Sequence, residues 1–94
     1  MFVVIVEFEL NPGCSDAFRE RVCQQARDSL SLEADCHVFD VCLDPQHTDR
    51  VLLYEVYSDR AAFDTHLASA HFRQFDSDVG AWVSARQVRF YDRV

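Results

Sequence analysis

The chain has 94 residues, a formal net charge of −7 and 49% hydrophobic residues, which leaves room for one domain, 1–94, around one core. It contains no lysine, and all nine basic residues are arginine. That composition excludes Schiff-base and lysine-base chemistry, argues against nucleic acid, whose phosphates call for a basic surface, and includes no apolar run near the ~20 residues of a membrane helix.

From Phe2 to Leu10 the even positions Phe2, Val4, Val6, Phe8 and Leu10 are all apolar, while the odd ones run from Val3 and Ile5 to Glu7 and Glu9. This period of two predicts a strand with one fully buried face. The opening residues lack the basic flank of a signal peptide, so a cytoplasmic protein is expected. Asn11-Pro12-Gly13 is a turn. A first helix is predicted from about Ser15, a possible N-cap, to about Leu32, with Phe18, Val22, Ala26 and Leu30 as its apolar stripe. Cys36–Leu43 reads as a second strand, Asp44–Asp49 as a polar loop, and Arg50–Tyr57 as a third strand. Ser58-Asp59 caps a second helix bearing Ala62, Phe63, His66 and Leu67 on one side. A further helical piece carries Phe72, Phe75, Val79 and Trp82, weakened at its end by Gly80. Ala85–Tyr91 reads as the last strand.

The order β-α-β-β-α-β is the split βαβ unit of ferredoxin-like α+β folds. Helices then cover one face of the sheet, and the other carries Val3, Ile5 and either Leu52 or Leu53. A domain this small buries only ~60–65% of its unfolded surface. A homodimer closed on that helix-free face, with Ile5 and Glu55 in the seam, is therefore expected. The four cysteines, Cys14, Cys23, Cys36 and Cys42, form no CxxC pair. They are read as reduced, mostly buried thiols, and zinc-ribbon or thioredoxin-type sites are disfavoured.

Candidate chemistry falls on few residues. His47 belongs to the polar loop and reads as surface. His37 is either a half-buried strand residue or part of a pocket wall. His66 lies on the apolar stripe beside Phe63 and Leu67, as a core histidine bound to a backbone carbonyl or as a general base. His71 is a second candidate base. On one continuous helix His66 and His71 point ~140° apart, so a metal site is not expected; they converge only if the helix breaks near Ser69-Ala70. No HxH, HExxH, GxGxxG, P-loop or GxSxG pattern occurs, and no cofactor is expected. Glu55 interrupts an apolar strand, where desolvation would raise its pKa, unless it pairs with Arg86 or Arg89. Tyr54, Tyr57, Phe75 and Trp82 either line an aromatic cavity or simply pack the core.

Leu53-Tyr54-Glu55-Val56-Tyr57-Ser58-Asp59-Arg60-Ala61-Ala62-Phe63, continuing through His66-Leu67-Ala68-Ser69-Ala70-His71-Phe72, together with Asn11-Pro12-Gly13, Phe39-Asp40-Val41 and Asp44-Pro45, resembles the antibiotic biosynthesis monooxygenase family over nearly the whole length. The resemblance implies a dimeric α+β barrel with a pocket in each subunit. It also implies oxidation of quinols or anthrone-like phenols by O2 without metal, flavin or haem. Such chemistry needs a base, a water-excluding pocket and a held ring, and His66, Glu55 and His71 fit the acid–base roles. The branch containing the autoinducer-2-processing isomerase looks especially similar, and implies instead proton transfer on a phosphorylated dicarbonyl compound with an arginine for the phosphate. The haem-degrading branch has Asn, Trp and a ligating His where this chain has Val6, His66 and Asp76, so haem degradation is not expected. A non-catalytic small-ligand-binding dimer is the reading from a different class, since fold does not fix reaction.

Overall fold

The computed structural model describes all residues, 1–94. The elements follow as β1 (Phe2–Leu10), α1 (Ser15–Leu32), β2 (Cys36–Leu43), β3 (Arg50–Tyr57), α2 (Arg60–Ala68), α3 (Ala70–Val79), a short 3-10 turn (Gly80–Trp82) and β4 (Val83–Asp92). The strands form one antiparallel sheet in the order β2-β3-β1-β4. This is the ferredoxin-like arrangement, with the most apolar strand, β1, at an inner position. β4 is two residues longer at its start and one at its end than the spacing predicts.

Register decides which side chains share a face. Val4 pairs with Glu55, Val6 with Leu53 and Phe8 with Val51, and all six are buried on the helix side. Together with Phe18, Val22, Phe63, Phe75 and Val79 from the helices they form the core. The next residues along each strand face the other way: Ile5 pairs with Tyr54 and Glu7 with Leu52. Leu52, not Leu53, is therefore the outward leucine. Glu55 does not share a face with Ile5 and is not part of that side's surface, which corrects its expected place in a seam with Ile5. It pairs with neither Arg86 nor Arg89; those arginines bind Asp76 and Glu7.

The buried stripe of α1 is Phe18, Val22, Gln25, Ala26 and Ser29, while Leu30 is 47% exposed. Strict four-residue spacing overruns a 3.6-residue turn by ~40° per step, so Leu30 has rotated ~120° from Phe18, whereas Ser29 is within ~20° of it. The N-cap of α1 is Cys14, without a side-chain bond, rather than Ser15. Asp59 caps α2 as expected, its carboxylate accepting from the Ala62 N–H at 2.8 Å. All four cysteines are free, but only Cys36 is buried, so the expectation of mostly buried thiols fails for Cys14, Cys23 and Cys42. No helix is long and apolar enough to cross a membrane.

Candidate active site

Ser69 makes the site possible. Its backbone is extended (φ −69°, ψ 149°), so it ends α2 and starts α3. Its N–H and its hydroxyl both donate to the His66 carbonyl, at 3.1 and 2.6 Å. The same hydroxyl accepts from the Phe72 N–H at 3.2 Å. One serine thus satisfies groups at the end of one helix and the start of the next, the two places where helical backbone lacks internal partners. The break removes the ~140° divergence of a continuous helix. His66 and His71 now face each other, ring centroids 5.7 Å apart.

Both converge on Glu33. This residue follows α1 in extended conformation (φ −117°, ψ 107°), its N–H held by the Ser29 carbonyl. Its Oε2 lies 2.7 Å from His66 Nδ1 and 2.7 Å from His71 Nε2. The first contact is a hydrogen bond. The second is close but misaligned, and His71 Nε2 is buried without a hydrogen-bond partner. On its other side, His71 Nδ1 lies 3.2 Å from Gln25 Nε2. Gln25 is fully buried and also donates to the Ser29 hydroxyl at 3.4 Å.

His66 is 2% exposed, with Phe72, Tyr57, Phe63 and Phe39 rings 5.0–6.1 Å away. Burial pushes its pKa down to about 4. The Glu33 carboxylate favours the charged ring, but it accepts the Nδ1–H in the neutral form as well, so desolvation decides the direction. With Nδ1–H assigned to Glu33, Nε2 carries the lone pair, and it has no hydrogen-bond partner within the protein. Burial likewise pushes Glu33 up, with His71 drawing it back down.

Glu55 stands on the adjacent strand, 3% exposed, its Oε1 accepting the Tyr57 hydroxyl at 2.6 Å. Burial raises its pKa to about 7, against that hydrogen bond and with help from Glu33. Burial and the neighbouring Glu55 carboxyl push the Tyr57 phenol well above its usual range. Cys36 is pushed up to about 12 by burial and the two glutamates, which leaves its thiol protonated and unreactive.

His66, Glu55, Gln25, Phe63 and Phe75 line a cavity of about 80 Å³ whose mouth includes the half-exposed Leu67 and Val88. Of the residues singled out from sequence, the fold thus gathers His66, Glu55 and Phe75 at one cavity, with Tyr57 and His71 against them. Tyr54 points to the opposite face with Ile5. His37 is exposed and bound to the Ser58 hydroxyl at 2.6 Å. Trp82 lies in the turn before β4 and packs on the core without reaching the cavity. A wider, open depression of about 570 Å³ lies on the outer face, around Glu7, Glu9, Leu52 and Arg50, and includes Asp44, whose carboxyl is held below its usual range chiefly by the Gln46 N–H. Glu33 and Gln25 had not been singled out. Gln25 was detectable as a polar residue seven positions from Phe18 on the true helical stripe; Glu33, in a polar stretch after α1, carried no such signal.

The fold and this cavity define a ferredoxin-like α+β scaffold with a cluster of buried titratable groups under the helix layer. Residues 1–77 match the antibiotic biosynthesis monooxygenase family, and the chain belongs to that family. A candidate antibiotic biosynthesis monooxygenase from Nitrosomonas europaea is 25% identical, covers 100% of this chain and 99% of its own, and superposes with a TM-score of 0.95. A Pseudomonas aeruginosa protein (22% identity, 99% and 93% covered, TM-score 0.91) and a candidate monooxygenase from Deinococcus radiodurans (18%, 100% and 93%, 0.91) share the fold. No curated protein matches the chain.

Proposed function

We propose that the protein is a cofactor-independent monooxygenase that oxidises a small aromatic or quinol-like compound with O2. The observation that carries this reading is His66: a neutral, aromatic-caged imidazole with Nδ1–H tied to Glu33 and Nε2 left as an acceptor beside an apolar cavity. Nε2 takes the phenolic proton, and the electron density gained by the ring is delocalised onto carbon. That carbanion gives an electron to O2, and the radical pair combines to a peroxide that recovers the proton from His66. His66 Nε2, neutral again, takes the remaining C–H proton as the O–O bond breaks, leaving C=O and hydroxide, so the CH2 group of the phenol's keto tautomer and O2 become a carbonyl and H2O. Glu55, whose pKa of about 7 keeps it part protonated at neutral pH, gives its proton to the departing hydroxide and is reprotonated from His66 through solvent. Apolar walls exclude competing water. A cavity of about 80 Å³ is well below the ~300–1,000 Å³ typical of whole-ligand sites. The reacting edge of the ring enters it, and the remainder lies against Leu67 and Val88.

Isomerisation of a phosphorylated dicarbonyl compound, the autoinducer-2-processing type of reaction, would need a free cation at the cavity. Arg86 lines it, but its NH1 donates to Asp76 at 2.9 Å and its guanidinium lies over the Phe8 ring. Oxidation is therefore the better-supported reaction. O2 uptake with a panel of quinols and anthrone-like phenols tests it. His66→Gln should lower turnover by about 10²–10⁴, the usual loss for a general base, with the thermal transition retained. Survival within a few-fold would make His66 structural, turnover of a phospho-dicarbonyl without O2 uptake would favour the isomerase, and tight binding with no turnover would favour a binding protein.

We further propose a homodimer closed on the helix-free face, where Ile5, Leu52 and Tyr54 are only half-buried in a molecule too small to waste apolar surface. A cytoplasmic setting fits the four unpaired thiols.

A further inference from the structure

We infer that Glu33, His66 and His71 form a binding site for a divalent transition cation of the Zn2+ class, and that occupation of this site switches off the base. Three features point to it. The three ligand atoms, His66 Nδ1, His71 Nε2 and a Glu33 carboxylate oxygen, lie within 4.8 Å of one another. His71 Nε2 is buried 2.7 Å from that oxygen but misaligned for a hydrogen bond, so one nitrogen is turned into the cluster with only the carboxylate beside it. Glu33, whose side chain is 11% exposed, has no arginine partner, and its only ion-pair contacts are the two imidazoles. A cation between these donors would offset the carboxylate in its desolvated place.

The donor set suits the ion. Two imidazoles and one carboxylate are a borderline set that Zn2+ accepts with bonds of ~2.0–2.2 Å, leaving a fourth position for water or ligand. Tetrahedral bonds of that length separate the ligand atoms by ~3.3 Å. The 2.7 Å contacts must therefore open by roughly half an ångström. As a ligand through Nε2, His71 carries its proton on Nδ1 and donates it to Gln25 Oε1, 3.5 Å away, the outer-shell support of a ligating ring; Gln25 Nε2 must then turn from its 3.2 Å contact with that nitrogen.

Competition with the base follows from the tautomer. In the metal-free cluster Nδ1 of His66 holds the proton and Nε2 the lone pair. A metal on Nδ1 needs the lone pair there, so the proton moves to Nε2 and the acceptor facing the cavity is lost. Metal binding itself does not rest on the proposed oxidation; only its inhibitory consequence does.

Binding is measured on chelator-treated protein by calorimetric titration with Zn2+, and with Co2+ by visible absorption, where a thiolate charge-transfer band would reveal cysteine ligands. The expectation is one Zn2+ per chain and a Co2+ spectrum without that band. Affinity should fall at least tenfold in Glu33→Gln and in His71→Gln, with no change in the exposed control His47→Gln. Imidazole 15N NMR should record the proton of His66 moving from Nδ1 to Nε2 as metal is added. No binding, equal affinity in Glu33→Gln, or a thiolate band each overturns the site. An unmoved His66 proton in a metal-loaded protein overturns its effect on the base. O2 uptake that disappears on metal removal and returns with Zn2+ overturns both the switch and the proposed cofactor-independent reaction, and leaves the metal site itself standing.

Discussion

On the helix side of the sheet, Glu55, Tyr57 and His66 share a space with aromatic rings, and their ionisation is governed by burial. On the other side, Glu7 meets Arg89 at 3.2 Å and Glu9 meets Arg50 at 2.9 Å, all half-exposed. The same strands supply both faces, because alternate residues point in opposite directions. The inner face holds polar groups with few partners, so burial displaces their proton affinities, Glu55 up towards neutrality and His66 and Tyr57 away from it, each in favour of the uncharged form. On the outer face Glu7 and Glu9 each already have an arginine partner. What separates the two faces here is the lack of counter-ions as much as burial.

The largest consequence is a pair of opposed pH effects. Glu55 has its folded pKa raised from 4.5 to about 7. The native state therefore binds more protons than the unfolded one across that window, and its stability falls as pH rises. His66 has its folded pKa lowered from 6.5 to about 4, so the unfolded state binds more protons and stability rises with pH. Each shift corresponds to about 3 kcal/mol at ~1.4 kcal/mol per unit, and the windows overlap between pH 4.5 and 6.5. In metal-free protein the two slopes largely cancel. Glu55→Gln should unmask a stability that climbs with pH, and His66→Gln one that declines, a decline to which the raised Glu33 adds. Denaturant midpoints measured from pH 4.5 to 7 check both. A slope unchanged in either variant means that the residue titrates as it does in the unfolded chain, and the contrast between the faces then fails.

That contrast also explains what the sequence disclosed. Strand β1 was legible because its alternation is local, as were Asn11-Pro12-Gly13 and the cap at Asp59, each of which acts within a few residues. The same alternation is ambiguous about which face receives the helices when both carry valines, and so Glu55 was expected beside Ile5. The apolar stripe of α1 was assigned at a spacing of four, which displaced Ser29 in favour of Leu30 and hid Gln25. His66 and Glu55 stood out as polar interruptions of apolar patterns. The contacts of Glu33 with His66 and His71 span 33 and 38 positions, and the second depends on the kink at Ser69, so no window along the chain contains them. A Ser between two helical stretches was the available clue, and it sufficed only to state the condition under which the histidines meet.

A smaller effect is expected on the outer face. Ile5 lies between Val3 and Glu7 on inner strand β1, paired with Tyr54. If a second copy covers this surface, Ile5→Arg places an unpaired charge in the seam. It should weaken the dimer by roughly ten- to a thousand-fold, about 1–4 kcal/mol, the range for an uncompensated group at an interface. Sedimentation velocity over a dilution series reads this directly. A stable monomer of the unsubstituted protein at micromolar concentration would remove the dimer altogether, and leave the cavity side untouched.

The smallest effect sharpens the comparison most. Arg50 and Glu9 form their ion pair with side chains 54% and 52% exposed, and such a pair is worth ~0–1 kcal/mol and is screened by salt. Arg50→Gln should therefore cost less than about 1 kcal/mol, and the difference should vanish in high salt if the rim stays wet. If a partner subunit covers the depression around Glu9, Arg50 and Leu52, the same substitution leaves Glu9 desolvated without its counter-ion. Its cost then rises to several kcal/mol and resists salt. Denaturant unfolding of the variant at low and high salt, at protein concentrations above and below dimer dissociation, distinguishes the cases. A small, salt-sensitive cost at every concentration places this rim outside any seam and confines the dimer surface to the apolar patch around Ile5 and Tyr54. A large cost that appears only in the dimer extends the seam to the charged rim, and the outer face would then carry an uncompensated acid of its own whenever Arg50 is lost.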